Sequence, residues 1–187
     1  MMPEIRPVTP ARWKDLVALF GPNGAYSSCW CMWWRITSAD FDKKHGAGTR
    51  RALKGLVDKG RVPGLLAYVD GKPVGWVSVA PREEYGRLER SRHLRRVDEQ
   101  PVWSIVCFYI DRNSRKQGVG SALLHGAVSY ARERGAEIVE AYPVDPRGKK
   151  IASAELYTGT VKMFRAAGFE VAAAGGGRRT IMRTSVK

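Results

Sequence analysis

The stretch "YIDRNSRKQGVGSALL" (109–124) is where the chain changes period. Before it, "PVWSIVCFYI" (101–110) is a nearly continuous apolar run rich in β-branched and aromatic residues, which predicts a strand buried on both faces. After it, Leu123, Leu124, Ala127, Val128 and Ala131 fall on one helical stripe between Val119 and Arg134, and Gly135 closes the helix. The join, "RKQGVG" (115–120), is therefore a strand-to-helix turn. Such a turn presents backbone N–H groups with no partner inside the helix, and the macrodipole adds positive potential, so phosphate oxygens suit it. Gly118 and Gly120 lack a Cβ and allow close backbone approach, while Arg115 and Lys116 charge the rim. The pattern is neither the G-x-x-x-x-G-K-[ST] of a P-loop nor the G-x-G-x-x-G of a dinucleotide fold. A short glycine motif also fits an ordinary connection; its position between this strand and this helix gives it weight.

Outward from the loop, "EIRPV" (4–8) reads as a first strand, and Thr9 with Pro10 as the start of a helix through "ARWKDLVALFG". "CWCMWWR" (29–35) and a polar stretch, "SADFDKKHGAG", precede a second helix, "TRRALKGLVDKG". Two apolar runs flank Asp70-Gly71 within residues 63–81, the signal of a tight hairpin. Beyond the central helix, "EIVEAYPV" (137–144) predicts a strand, "TVKMFRAAGF" a short helix, and "FEVAA" and "RTIMRTSV" a last hairpin around Gly175–Gly177. The order β-α-α-β-β-β-α-β-α-β-β is that of a mixed α/β protein with one central crossover.

The 187 residues suit one domain, 1–187, large enough to bury a core. With 44% hydrophobic and 27% charged residues, no apolar run near the roughly 20 residues of a membrane span and no apolar leader after the first methionines, the chain is expected to be cytoplasmic and without a membrane partner. Three cysteines, two of them one residue apart, make no disulfide framework. The formal charge of +14 favours an anionic partner, whether a phosphorylated cofactor, nucleic acid or an acidic surface, or else marks an arginine-rich solvated surface. Six arginines between Arg82 and Arg96, interleaved with Glu83, Glu84 and Glu89, read as a solvated loop or helix face.

"CWCMWWR" concentrates three of six tryptophans and two of three cysteines. Cys29-x-Cys31 is one residue short of zinc spacing, and Cys107, His45, His93 and His125 are scattered, so no metal is expected. No redox C-x-x-C is present, and the segment is too short for a membrane foot. Core or pocket wall remains. Helical spacing would put Trp30, Trp33 and Trp34 on one side.

"YIDRNSRKQGVGSALL" resembles the acetyl-CoA signature of the GNAT N-acyltransferase superfamily, [RQ]-x-x-G-x-[GA] after a strand, at Arg115, Gly118 and Gly120. "MFRAAGFEV" resembles that family's last turn, an aromatic residue four positions before Gly-Phe, at Phe164, Gly168 and Phe169. The element order agrees along the whole chain, and "CWCMWWR" with "ELYTGTVKMF" is similar to a family subset carrying a Cys-Trp-Cys-Met segment. The resemblance implies the GNAT fold: a mixed, mainly antiparallel sheet flanked by helices, with a splayed central strand pair at "CFYI" and "EAYPVD". It implies acetyl-CoA as acyl donor, with pantetheine along the backbone of Phe108, Tyr109 and Ile110. Arg115 would flank the diphosphate, itself held on the N–H groups of Lys116, Gln117, Gly118, Val119, Gly120 and Ser121. A primary amine would attack the thioester in a ternary complex, a backbone N–H stabilising the oxyanion. Because a lysine-like amine is only roughly 0.04% neutral at pH 7, a base must take its proton.

The chain departs from the family at two positions. Ser104 stands where some relatives carry a catalytic glutamate, and Phe164 where many carry the tyrosine that protonates the thiolate. Tyr157, Tyr142 and Cys107 are replacement candidates for the acid, Glu140 and Glu83 for the base. By the same resemblance Trp30, Trp33, Trp34 and Arg35 belong to the acceptor wall, where aromatic faces attract cations and an arginine grips an anion. The expected acceptor is a small-molecule amine, aromatic or zwitterionic. An RNA- or protein-borne amine, or a module that holds acyl-CoA without turnover, are the alternatives, and the protein is expected as a monomer or homodimer.

Overall fold

Asp70 and Gly71 both take left-handed φ values, 49° and 73°, and close the hairpin that starts the sheet. In the computed structural model, which describes residues 3–148 and 151–187, the elements run in chain order. They are β1 (Glu4–Pro7), α1 (Trp13–Phe20), α2 (Ser38–Lys44), α3 (Ala47–Asp58), β2 (Gly64–Val69) and β3 (Lys72–Pro81). Then follow α4 (Gly86–Glu89), β4 (Trp103–Ile110), α5 (Val119–Glu133), β5 (Ile138–Ala141), α6 (Val161–Ala166), β6 (Glu170–Ala174) and β7 (Thr180–Ser185). They build one seven-stranded sheet in the order β1-β2-β3-β4-β5-β7-β6. Every pairing is antiparallel except β4 with β5. This is the expected mixed, mainly antiparallel sheet flanked by helices.

Alternation along the strands sends one set of side chains to each face. Leu65, Ala67, Val77, Val79, Ile105 and Val139 pack beneath α5 and α6 with Leu123, Leu124, Ala127 and Phe164. Leu66 and Trp76 face the other way, against Leu16, Leu19, Phe20, Leu53 and Val57 of α1 and α3. α5 lies so close to the sheet that a Cβ on Gly75 would meet Val119 at 2.8 Å and Leu123 at 2.9 Å.

The central pair is held over only three positions, Trp103–Val139, Ser104–Glu140 and Ile105–Ala141. At that point Ser78 pairs with Cys107 and Val79 with Ile105, leaving Val106 as an extra residue in β4. Such a bulge bends and twists its strand. β5 ends as well, because Pro143 has no N–H to donate; its carbonyl still accepts from the Thr180 N–H at 3.1 Å, and Val144 makes isolated bridges to Thr160 and Arg179. The strand predicted over 137–144 is thereby shortened, and beyond Ile105–Ala141 the β4 edge at Cys107–Ile110 is no longer paired with β5.

Beneath the split lies a buried polar network. Arg82 donates from Nε to Glu89 at 2.8 Å and from Nη1 to Glu140 Oε1 at 2.7 Å and to the Tyr142 hydroxyl at 2.8 Å. Its Nη2 donates to the Leu94 carbonyl at 2.6 Å. Tyr142 donates to Glu140 at 2.5 Å and shares a 2.8 Å hydrogen bond with Ser104, while Arg183 bonds the other Glu140 oxygen at 2.7 Å. Arg82 is 1% exposed, which corrects the solvated reading at that position, while Glu83, Glu89, Arg90, Arg92 and Arg95 are exposed as expected. Two more expectations are adjusted. Residues 10–12 form a 3-10 turn that Thr9 does not cap through its side chain, so α1 begins at Trp13. The polar stretch after residue 37 contains α2, whose first turn Thr37 caps by accepting from the Asp40 N–H at 3.0 Å.

Removing one partner of a buried ion pair leaves the other uncompensated. Arg82→Met is therefore expected to lower unfolding free energy by roughly 3 kcal/mol or more, measured by urea denaturation; a loss under about 1 kcal/mol would contradict a structural role for this network.

Candidate active site

The loop after β4 takes its shape from local chemistry. The Asp111 carboxylate accepts from the Asn113 N–H at 2.9 Å, Gln117 Nε2 donates to the Asn113 carbonyl at 2.8 Å, and Arg115 Nε donates to the Ile110 carbonyl at 3.2 Å. Lys116 and Gly118 sit at φ 61° and 80°, so the backbone turns sharply into α5, whose first turn has no acidic residue. A Cβ on Gly120 would lie 3.3 Å from Ile110 and 3.7 Å from Met163. The loop is thus an open, positively flanked cradle of N–H groups, and a diphosphate fits it.

Next to the loop, the cleft opens into a cavity of about 780 Å³. Cys107, Phe108, Tyr109 and Ile110 of β4 line it together with Arg115, Trp33, Trp34 and Tyr157. Its lining is mostly apolar, and among the described residues no carboxylate or imidazole belongs to it. A second cavity, of about 960 Å³, adjoins it and shares Tyr26, Trp34, Ala154 and Tyr157.

The candidates divide between these cavities and the protein interior. Cys107 and Tyr157 line the first cavity. The Tyr157 hydroxyl accepts from Arg179 Nη2 at 3.2 Å, and burial raises its pKa above the ordinary 10.0, with the Arg179 charge pulling the other way. Its proton is retained at neutral pH. Tyr142 and Glu140 line neither cavity; both belong to the Arg82 network. Glu83 also lines neither, and its exposed carboxylate pairs with Arg96 at 2.9 Å, which holds it below the usual carboxylate range against the opposing effect of partial desolvation.

"CWCMWWR" is not a helix. Trp30 and Cys31 adopt left-handed φ values of 47° and 51°, and the tryptophans point to three environments. Trp30 stacks on Trp13 at 6.0 Å and tilts against Phe20 at 5.5 Å, inside the core beneath α1 and α3. Trp33 meets Phe41 edge-on at 5.2 Å on the cavity rim, with the Arg87 guanidinium 3.6 Å over its ring. Trp34 is buried with Tyr85, Leu88 and Leu94 yet borders both cavities. Arg35 faces neither, being bound to Glu84 at 2.6 Å and to the Pro63 carbonyl at 3.2 Å.

The sequence did not mark the thiols as a group. Trp76 Nε1 donates to Cys31 Sγ at 3.0 Å, and Cys31 Sγ in turn donates to Cys107 Sγ at 3.3 Å. That bond to Cys107, with burial, raises the Cys31 pKa. Burial first, and the neighbouring Cys31 second, push Cys29 up from 9.0 to about 11. A raised value means the stability held by the protonated thiol is full below pH 9 and is lost as pH rises through about 11.

The acetyltransferase (GNAT) family model matches residues 30–169. A curated relative, an uncharacterised N-acetyltransferase of Methanocaldococcus jannaschii, is 29% identical over 103 residues, 54% of this chain; the match spans 41% of the relative's length. A crystal structure described as histone acetyltransferase HPA2 and related acetyltransferase, from Corynebacterium glutamicum, superposes at TM-score 0.59 with 19% identity over 99% of this chain and 97% of that one. PaiA N-acetyltransferase from Thermoplasma acidophilum, solved in complex with coenzyme A, superposes at 0.56 with 14% identity over 99% of both chains.

With a pKa of about 11, Cys29 is roughly 0.1% thiolate at pH 8. Its alkylation by iodoacetamide, followed by mass spectrometry, should rise about tenfold per pH unit up to pH 11; a plateau by pH 9 would contradict the burial argument.

Proposed function

Because the chain belongs to the acetyltransferase (GNAT) family, a family of acyl transfer, we propose that it moves the acetyl group of acetyl-CoA onto a primary amine by direct attack in a ternary complex. The observation that carries this reading is the split between β4 and β5, which opens directly beside the Lys116–Ser121 cradle. The N–H groups of that cradle would hold the diphosphate with Arg115 at its rim, and the exposed backbone edge at Phe108–Ile110 would align the pantetheine arm. The same edge offers an N–H for the oxyanion that develops on the thioester carbonyl.

Tyr157 is the proposed acid. Its retained proton supports hydrogen bonding to the departing thiolate, and Arg179 fixes its hydroxyl. Cys107 stands beside it as part of the cavity wall, but the Cys31–Cys107 contact suits packing better than proton delivery. With no carboxylate among the described residues of the first cavity, the amine's proton leaves through water towards the second, where Glu155 and His93 are the acceptors at the wall. That route replaces Glu140 and Glu83.

Gly120→Trp should abolish acetyl-CoA binding in calorimetry while leaving the circular dichroism spectrum intact; unchanged binding would overturn the cofactor assignment. Tyr157→Phe is expected to lower kcat by about tenfold to a hundredfold with acetyl-CoA affinity preserved. In the parent protein, any alkaline loss of rate due to Tyr157 should lie above pH 10.0.

A further inference from the structure

The second cavity has the wrong charge to be empty of function. Arg87, Arg90, Arg178 and Arg179 border it with His93, and Glu155 is the one carboxylate among its described lining residues. None of these four arginines forms an ion pair among the described residues, unlike Arg35, Arg82, Arg96 and Arg183. Two of them are held in place by neutral groups instead. Arg87 donates from Nε to the Trp33 carbonyl at 2.6 Å and from Nη1 to Ser38 at 3.0 Å. Arg179 donates from Nη1 to Thr158 at 2.7 Å.

Those bonds leave donors over. Arg87 Nη2 and Trp34 Nε1 are buried atoms without a hydrogen-bond partner among the described residues. Trp34 is only 6% exposed and stands where the two cavities meet. A buried N–H left unpaired costs about 1–3 kcal/mol, and both of these belong to residues that border the cavity. Burial depresses the Arg87 pKa, and the like charge of Arg90 adds to it. An anion placed between them relieves both repulsion and desolvation. Guanidinium forks match the two oxygens of a carboxylate or phosphate.

We propose that the second cavity binds an anionic group at the far end of the acceptor, so that the substrate is a small amine bearing a carboxylate or a phosphate. This rests on the acetyl-transfer reading above. The acceptor lies across the shared wall at Trp34 and Tyr157, with its amine in the first cavity and its anion among Arg87, Arg90, Arg178 and Arg179. Arg35, engaged with Glu84, takes no part. A neutral amine of the same length fills the first cavity but leaves these donors unmet.

The test uses the full chain saturated with coenzyme A, titrated by calorimetry with linear aminoalkyl carboxylates, aminoalkyl phosphates and their uncharged amide or alcohol counterparts. Arg90 and Arg178 are exposed and hold no side-chain partner among the described residues, so Arg90→Gln/Arg178→Gln keeps the fold. Binding of an anionic series should exceed its neutral counterpart by roughly tenfold or more and fall by a similar factor in the double variant. Acetyl-CoA affinity should stay unchanged. Preference for carboxylate over phosphate, or the reverse, identifies the source of the charge. Equal binding of charged and neutral amines, equal binding to the variant, or binding of a short single-stranded RNA with neither small anion bound overturns the proposal. Failure to bind acetyl-CoA at all overturns the acetyl-transfer reading instead. With acetyl-CoA as donor, KM for the anionic amine should rise in the double variant while kcat is kept.

Discussion

The parallel contact between β4 and β5 lasts three residue pairs and then stops, and the rest of the molecule is arranged around that stop. A sheet interrupted at its centre exposes backbone groups and loses packing where the core is deepest. Two devices contain the damage. The extra residue at Val106 turns β4 aside while its other edge stays bound to β3. Below the fork, Arg82, Glu140, Tyr142, Ser104 and Arg183 satisfy one another, so the buried charges of the base of the cleft are all partnered. Burying such a cluster is expensive, and it is tolerated because the geometry leaves little unpaired.

The fork also determines which candidate residues are free to act. Glu140 and Tyr142 pack below it; Cys107 and Tyr157 lie within it. Tyr157 reaches the cleft from the 3-10 turn at Ser153–Thr158, before α6, whereas Phe164 inside α6 is fully buried against Phe108 and Phe169.

The order of elements was readable because each has a local cause: the apolar run of β4, the stripe of α5, the Asp70-Gly71 turn, and the glycines that end helices. The cradle was readable for the same reason, since its shape comes from residues within ten positions of one another. Arg82 was not, because its partners Glu140 and Tyr142 lie 58 and 60 residues away and nothing nearby distinguishes it from the exposed arginines that follow. The tryptophans failed differently. Helical spacing is informative only where the backbone is helical, and left-handed φ at Trp30 and Cys31 redirects each ring. The short helix α2 was missed since it buries no residue, although Thr37 with Asp40 carries a capping signal. The paired thiols, 76 positions apart, had no signal in the sequence.

Donor and acceptor surfaces also differ in how the chain supplies them. The strand edge and cradle come from the single stretch 108–121, whereas the proposed acceptor walls add to Cys107–Ile110 residues gathered from 25–41, 87–94, 144, 154–157 and 175–179. A change in one of those loops alters one side of the acceptor space and leaves the cradle's geometry alone. On the proposed reading, the donor side is thus written in one continuous stretch, whereas the acceptor side is written in several that can be changed one at a time.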